Sequence, residues 1–444
     1  MDRRTLKIGL VVLILCLTAG TGVFLAAFSV ADASKGPRAA LRTTESLRAE
    51  QIVKPAVAAG APEAVATGGA DTPYTVTMSP MGEVRFPRPP QRVITGDANY
   101  NDMMVALGCG DRVIAGQQVK NFYNGFYAQL PGVKFDAEKI QSLTTGTSGG
   151  GTGAGGFDKE LLYTLKANVH HIDPLQMISG GKWTTADIEE ITKNVGPFFA
   201  NRYSRDNSYS GKEPYEFYTV WELADKVAQV YRRPERVVKL KAISDALVQK
   251  IQAKLPPPDK RPLVGLIHYG TGRITTYSMN RGGFGQAQYA AVGARDAFEG
   301  KNISSYGDAG GRGTALDLEG LIAINPDIII MPFAFGGTGH TAFEELLKLK
   351  EDPLGQRLRA LKNDHAYPGG TALQGPVFFI FQIEMAAKQI YPEIFGRFRE
   401  DQNYPPEECL FDREAVAKIL RGESDRGTPT CSPHPPRNSF PRRT

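Results

Sequence analysis

Polar and aromatic side chains follow several of the apolar strands that the sequence predicts, at the points where those strands end. In an open parallel sheet, ligands bind beyond the carboxyl ends of the strands, so these positions are the first candidates for a binding site. Aromatic rings pack against planar groups, and Arg or Lys side chains pair with anions. The set therefore predicts a large, partly aromatic and anionic ligand.

The candidate binding residues come from both halves of the chain. They are Asn99, Tyr100, Gln117, Gln118, Lys120, Asp173, Gln176 and Trp183 in the first half, and His268, Tyr269, Arg273, Phe333, Phe335 and Tyr367 in the second. Aromatic residues after strands also pack into cores and lids, so core packing is the alternative interpretation for each of these rings.

His170 and His171 suggest a metal site, but their spacing argues against one. Adjacent residues of a strand point to opposite faces, so the two imidazoles would not converge on one ion. A tetrahedral zinc site needs three or four converging ligands. We therefore interpret both histidines as structural and predict no metal site.

An enzyme is the alternative class of protein. The glycine-rich stretch at 149–156 lacks the Lys-Ser/Thr pair that follows the glycines of a phosphate-binding loop, and it is typical of a flexible linker. No His-Glu-x-x-His motif occurs, and no pair of carboxylates has a spacing that indicates glycosidase chemistry. We predict no catalytic residues and no cofactor.

The elements that position the candidate residues include a unit that occurs twice. Residues 158–168 and 317–327 align without gaps, and a short stretch that ends at Pro174 or Pro332 follows each. Each segment predicts a short amphipathic helix with an acidic first turn, then a tight turn and an apolar strand that ends at a proline. Short apolar strands between helices are typical of parallel sheets, so each half is expected to form a small α/β lobe.

Two helices are predicted between the halves, over residues 216–231 and 234–255. Pro234 suits the first turn of the second helix, and Leu240, Leu247 and Leu255 lie on one of its faces. At about 1.5 Å per residue, this helix would span roughly 33 Å. A helix of this length can hold two lobes side by side and limit their hinge motion.

The length of 444 residues exceeds the roughly 250–300 at which single cores stop growing, so at least two lobes are expected. Residues 56–420 carry 39 basic and 41 acidic side chains, which does not provide the basic surface of a nucleic-acid-binding protein.

We divide the chain into a signal peptide or membrane anchor (1–33), a flexible linker (34–75), an N-terminal α/β lobe (76–215), bridging helices (216–256), a C-terminal α/β lobe (257–405) and a C-terminal tail (406–444).

The N-terminus has the pattern of an export signal. Arg3, Arg4 and Lys7 precede an apolar run at residues 8–30, which is longer than the roughly 7–15 residues of a cleavable signal and close to the roughly 20 that span a bilayer. Cleavage after Ala33 and retention as a membrane anchor both remain open.

Outside the cytoplasm, a disulfide between Cys409 and Cys431 and a pair of free thiols are equally compatible with the sequence.

The order of these parts resembles a known family. The matching segments are Leu107-Gly108-x-x-Asp111-Arg112-Val113, the unit that contains Glu160, the helical bridge, the unit at 317–330 and the segment at 387–395. Over residues 76–400, the chain resembles the ABC-transporter substrate-binding proteins whose two α/β lobes are joined by a long backbone helix. That family captures ferric siderophores, haem and cobalamin.

The resemblance implies a function and partners. It implies a periplasmic or extracytoplasmic receptor that binds a ferric chelate in the cleft between two Rossmann-like lobes and delivers it to an ABC permease with its ATPase. Glu160 and Glu319 match the family's glutamates that engage arginines of the permease, although acidic residues in a first helical turn also favour the helix dipole. A cobalamin or haem receptor and a ligand-sensing ectodomain are the alternatives.

Overall fold

The computed structural model describes residues 72–117, 125–143, 157–179, 181–209, 211, 213–270, 272–279, 282–306, 314–335 and 337–423. All of them belong to one compact unit of the chain. The predicted signal or anchor, nearly all of the linker and the glycine-rich insert lie outside the described residues, as do Gln118 and Lys120. Among the helices of the described ranges, none combines the length and apolarity that crossing a bilayer requires.

The first lobe is an α/β unit, as predicted. Its elements are β1 (Tyr74–Met78), β2 (Gly82–Phe86), β3 (Val93–Thr95), α1 (Ala98–Ala106), β4 (Val113–Gly116), β5 (Gln141–Ser142), α2 (Lys159–Leu165), β6 (Val169–His171), α3 (Pro174–Ser179) and α4 (Thr185–Asn194). The strands β1 and β2 form an antiparallel hairpin. The other four strands pair in parallel in the order β5–β4–β3–β6, so their carboxyl ends lie at one edge.

Two helices join the lobes, α5 (Val220–Val230) and α6 (Pro234–Gln252). The first begins four residues later than predicted because Thr219 and Glu222 form a capping box that fixes its start. The second begins at Pro234 as predicted but ends before Leu255, which precedes three consecutive prolines that cannot continue a helix. Its 19 residues span about 28 Å rather than the expected 33 Å.

The second lobe contains a mixed five-stranded sheet. Its elements are β7 (Leu263–Gly270), β8 (Arg273–Thr276), α7 (Ala287–Ala291), β9 (Arg295–Asp296), α8 (Leu318–Ile324), β10 (Ile328–Met331), α9 (Gly337–Lys348), α10 (Arg359–Lys362), β11 (Ala366–Pro368), α11 (Pro376–Ile390) and α12 (Pro392–Phe395). The order is β11–β10–β7–β8, and β9 also pairs with β7. Only β8 is antiparallel to its neighbour among these described strands.

The unit that the sequence repeats is repeated in the structure. Asp158 caps α2 by accepting from the Leu161 N–H, and Asp317 caps α8 by accepting from the Gly320 N–H. Each helix has seven residues and ends at a residue in the left-handed conformation, with φ of 48° in both cases. A strand of each sheet follows. The predicted repeat is confirmed, and the structure adds that both of its helices begin at an aspartate cap.

The helix α11 joins the lobes a second time. It is buried along its length and packs on α6 and on α1 of the first lobe. Gly375 at its N-cap has no side chain to cap the helix, and Asp102 of α1 takes that role by accepting from the N–H groups of Val377 and Phe378. A carboxylate of one lobe therefore caps a helix of the other.

The region assigned to a C-terminal tail is structured up to residue 423. Residues 413–421 form the helix α13, whose buried face consists of Val416, Ala417, Ile419 and Leu420. Arg236 of α6 donates to the carbonyl groups of both Leu107 and Leu420, so the ends of α1 and α13 share one guanidinium. The division at 406 is therefore wrong for this stretch, because an amphipathic helix buries its apolar face against the bridge.

Candidate functional site

A small pocket of about 30 Å³ lies between the two lobes. Its walls are formed by Arg205, Asp206, Tyr277, Ser278, Gly283, Gly285, Gln286, Tyr306, Phe333 and Ala372. Typical small-molecule sites have volumes of about 300–1,000 Å³, so a bulky ligand requires the lobes to move apart from this arrangement. Both lobes contribute side chains to this pocket.

The first-lobe wall comes from the long connection between α4 and α5, over residues 195–219. Irregular connections of this length are uncommon and are often functional. Asp97, which precedes α1, lies 3.0 Å from Arg202 Nε and 3.6 Å from Arg205 Nη1. Asp206 lies 2.9 Å from Arg205 Nη2. Two carboxylates thus hold the buried guanidinium of Arg205 at the pocket.

The charges in this wall stabilise one another. Burial disfavours the charged form of Arg205, but the carboxylates of Asp206 and Asp97 outweigh burial and raise its pKa above the ordinary value. Burial also disfavours ionised Asp206, yet Arg205 and Arg202 lower the pKa of Asp206 to about 2. At neutral pH, the pocket wall therefore carries a fixed positive charge beside a fixed negative one.

The second-lobe wall is aromatic. The rings of Tyr277 and Tyr306 have centroids 5.2 Å apart, and Tyr277 lies 6.3 Å from Phe333. Phe333 has a positive φ of 65°, which is unusual for a bulky residue, and its N–H donates to the Gly370 carbonyl at 2.7 Å. Backbone strain of this kind is concentrated at binding sites, so the ring is held at the pocket by its loop.

The lobes touch directly beside the pocket. The N–H of Gly285 donates to the carbonyl of Arg205 at 2.8 Å, which joins the two walls through their backbones. A Cβ atom at Gly283 would collide with the same carbonyl, so only glycine permits this approach. A backbone contact between the lobes therefore lies directly beside the pocket.

The structure places most first-half candidates in the interior rather than at the pocket. Tyr100 is buried and stacked on His171, with ring centroids 5.3 Å apart, and its hydroxyl accepts from the Asn201 N–H. The buried indole of Trp183 donates to the Phe157 carbonyl. Asp173 accepts from the Tyr215 hydroxyl and the Arg202 N–H, and burial raises its pKa. The further buried candidates are Asn99, Gln117 and Gln176.

Among the second-half candidates, Phe333 alone lines the pocket. His268 and Tyr269 lie half-buried in β7, and burial lowers the pKa of His268. Arg273 is exposed at the start of β8. The rings of Phe335 and Tyr367 both pack against Phe398, which agrees with the alternative interpretation of aromatic packing.

The other pocket residues are absent from the sequence-based candidates because they do not directly follow the strands that the sequence predicts. Arg205 and Asp206 lie in the middle of a long connection, and Gln286 and Tyr306 lie in loops that follow β8. The sequence does contain a signal for them. Arg202, Arg205 and Asp206 cluster in an irregular segment, and the glycines at 282, 283 and 285 indicate close backbone approach.

The two adjacent histidines, His170 and His171, are buried in the first lobe. Burial lowers the pKa of each to about 4, and the ring nitrogens of His171 contact the Phe199 carbonyl and the Tyr231 hydroxyl. Within the described ranges, no group of three or more His, Cys, Asp or Glu side chains is placed to hold a metal ion. Cys409 forms no disulfide with another described residue, and Cys431 lies outside the described residues.

Comparison with known proteins identifies the fold. No protein-family model and no curated protein matches the chain. The petrobactin-binding protein YclQ from Bacillus subtilis matches with a TM-score of 0.50 and 13% identity, over 72% of this chain and 99% of that protein. A periplasmic binding protein from Veillonella parvula matches with a TM-score of 0.50 and 13% identity, over 73% and 92%. The chain therefore has the two-lobed periplasmic binding-protein fold.

Proposed function

We propose that the chain is the extracytoplasmic substrate-binding component of an ABC importer. In this role it captures an iron chelate of the ferric siderophore class and delivers it to the permease. The observation that carries this proposal is the pocket, in which the guanidinium of Arg205 opposes the aromatic wall of Tyr277, Tyr306 and Phe333. The fold shared with a petrobactin-binding protein supports solute capture.

The chemistry of the pocket suits an oxygen-rich, partly planar ligand. Arg205 Nη1 makes no hydrogen bond within the described part of the chain, and its ion-pair partner Asp97 lies 3.6 Å away, so a ligand oxygen would share this group with that carboxylate. A guanidinium pairs well with carboxylate or chelate oxygens, and tyrosine faces pack against planar groups. The aromatic wall would also suit a macrocycle, which makes haem or cobalamin the second candidate ligand. A ligand-sensing ectodomain would use the same pocket without delivering its ligand.

Ligand binding should raise the melting temperature of the purified protein. A ligand that binds only the folded state at 100 times its Kd stabilises that state by about 2.7 kcal/mol, which corresponds to several degrees. We expect such a shift with at least one of a ferric tris-hydroxamate, a ferric tris-catecholate, hemin and cobalamin. The iron-free chelators are the controls. Quenching of Trp183 and Trp221 fluorescence gives the Kd, and no response to any of the four would contradict the proposal.

Glu160 and Glu319 are the proposed docking residues for the permease. Each is exposed and occupies the same position, two residues after the aspartate that caps its helix. One belongs to each lobe, so a partner with two basic sites at matching separation would contact both lobes at once. Charges at such a rim act mainly on the rate and register of association.

Charge reversal at both positions should impair delivery without affecting capture. We expect Glu160→Lys and Glu319→Lys together to reduce chelate uptake at least tenfold in cells that carry the matching transporter, because two attractive charges become repulsive. Chelate affinity of the purified variant should stay within twofold of the parent protein. The double variant Glu299→Lys/Glu345→Lys is the charge-matched control, because both of these glutamates are also exposed. Normal uptake by the Glu160/Glu319 variant would exclude this docking mode.

A further inference from the structure

Four glutamines form a buried chain that ends at the pocket. Gln288, Gln374 and Gln382 are at most 1% exposed, and Gln286, which lines the pocket, is 8% exposed. Buried carboxamides are costly unless their donors and acceptors are paired. The pairing along this chain therefore determines which end of each carboxamide faces its neighbour.

The backbone of Thr371 fixes the direction of the chain. Its N–H donates to Gln382 Oε1 at 2.6 Å, and its carbonyl accepts from Gln382 Nε2 at 3.1 Å. A backbone N–H can only donate and a carbonyl can only accept, so the orientation of this carboxamide has no alternative. Gln382 Nε2 also donates to Gln374 Oε1. Gln374 must then present its Nε2 to the remaining partners.

The direction continues to the pocket wall. Gln374 Nε2 donates to the Phe284 carbonyl and, at 3.0 Å, to Gln288 Oε1. Gln288 Nε2 in turn faces Gln286 Oε1 at 3.5 Å, at the long end of the hydrogen-bond range. The Gln286 carboxamide therefore uses its oxygen within this chain of glutamines. Its Nε2 group has no hydrogen-bond partner in the described part of the chain.

We propose that Gln286 is a specificity-determining residue that donates a hydrogen bond to a ligand oxygen in the pocket. This inference rests on the proposed function and adds to it the requirement for an oxygen acceptor on the second-lobe side of the pocket, opposite Arg205. The three other glutamines are positioning residues that hold the Gln286 carboxamide with its N–H₂ group buried at the pocket wall and unpaired. A site built to donate a hydrogen bond discriminates against ligands that cannot accept it, because its buried donor stays unpaired.

The test compares two glutamines with the same feature. Gln129 also has a buried Nε2 without a partner in the described ranges, but it lies outside the pocket lining. Gln286→Met and Gln129→Met each remove a carboxamide and keep the length of the side chain. Gln286→Glu keeps the shape and replaces the donor by an acceptor. Fluorescence titration with ferric tris-hydroxamate, ferric tris-catecholate and hemin gives each Kd, and thermal melts check that each variant is folded.

We expect Gln286→Met to weaken the tightest of these probes by 5- to 30-fold, and Gln286→Glu to weaken it further, whereas Gln129→Met stays within twofold. Equal affinity of the parent protein and Gln286→Met would overturn the role of Gln286 and leave the proposed function intact. Absence of binding by the parent protein to all probes would overturn both. If Gln286→Met does not fold, retained affinity in Gln286→Glu overturns the inference and its loss supports it.

Discussion

Replacing Arg205 with Met is expected to weaken capture of an anionic chelate by at least 100-fold. The guanidinium is the one charged donor group among the described pocket-lining residues, and its hydrogen bonds to an anion would be charge-assisted. Removing it also leaves the two carboxylates of Asp97 and Asp206 with Arg202 as their remaining cationic partner, so the wall gains a net negative charge. An anionic ligand would then meet repulsion where it previously met attraction.

The same substitution should also destabilise the free protein. Breaking a buried ion pair by removing one partner typically costs about 3–5 kcal/mol, because the remaining charge stays buried. We expect the urea midpoint of Arg205→Met to fall accordingly, with part of the loss recovered in Arg205→Met/Asp206→Asn. Because stability and capture change together, affinity must be measured at a temperature where the variant is fully folded.

Arg273→Met is the matched control for Arg205→Met. Arg273 was a candidate from the sequence, but it is exposed at the start of β8 and does not line the pocket. We expect its replacement to leave both affinity and stability nearly unchanged, since exposed charges contribute little. An Arg205→Met variant that is folded and binds the chelate as tightly as Arg273→Met would show that the guanidinium does not contact the ligand.

The sequence predicts the framework of this protein because local patterns carry it. The cap at Asp158, the acidic first turn and the following apolar strand recur at Asp317, and each signal acts over a few residues. Pro234 likewise indicates the residue at which α6 begins. The predicted lobes and bridge depend on these short-range signals, which is why they are present in the structure.

The pocket depends on contacts that no local pattern contains. Arg205 forms an ion pair with Asp97, which lies 108 positions earlier in the chain. The orientation of the Gln286 carboxamide depends on the backbone of Thr371. Placing the site directly after the strands is reasonable for a bare sheet, but here described residues of the connection between α4 and α5 pack against the end of β6. Asp173, a strand-end candidate, consequently binds the Tyr215 hydroxyl of that connection.

Asp102 is expected to make the stability of the protein depend on pH between about 4 and 7. This carboxyl is fully buried, and burial raises its pKa to about 7, although hydrogen bonds from the Tyr127 hydroxyl and from the N–H groups of Phe378 and Val377 favour ionisation. The unfolded chain should titrate near the ordinary value of 3.8. Between these two values, the folded state binds the proton more strongly than the unfolded state does.

The sign of the effect follows from proton linkage. Because the folded state holds more protons between pH 4 and pH 7, its free energy of unfolding decreases as pH rises through this range and levels off above about 7. A shift of about three pKa units corresponds to a change on the order of 4 kcal/mol. The contribution of Asp102 is therefore complete in acid and lost at neutral pH.

Asp102→Asn should remove this contribution to the pH dependence. The carboxamide does not titrate, its oxygen can still accept from the N-terminus of α11, and its N–H₂ group can donate to the Tyr127 hydroxyl oxygen. We expect the variant to match the parent protein near pH 4.5 and to exceed its free energy of unfolding by a few kcal/mol at pH 8. Urea unfolding at both pH values measures the difference.

Asp245→Asn provides the control for charge removal at a helix. Asp245 lies on α6, where it is half exposed and forms an ion pair with Lys241. Its pH profile should parallel that of the parent protein, because an exposed pair contributes little at either pH. If the profile of Asp102→Asn is also parallel, the carboxyl that joins α1 to α11 is ionised throughout this range, and the helix cap between the lobes is a permanent charge rather than one that titrates.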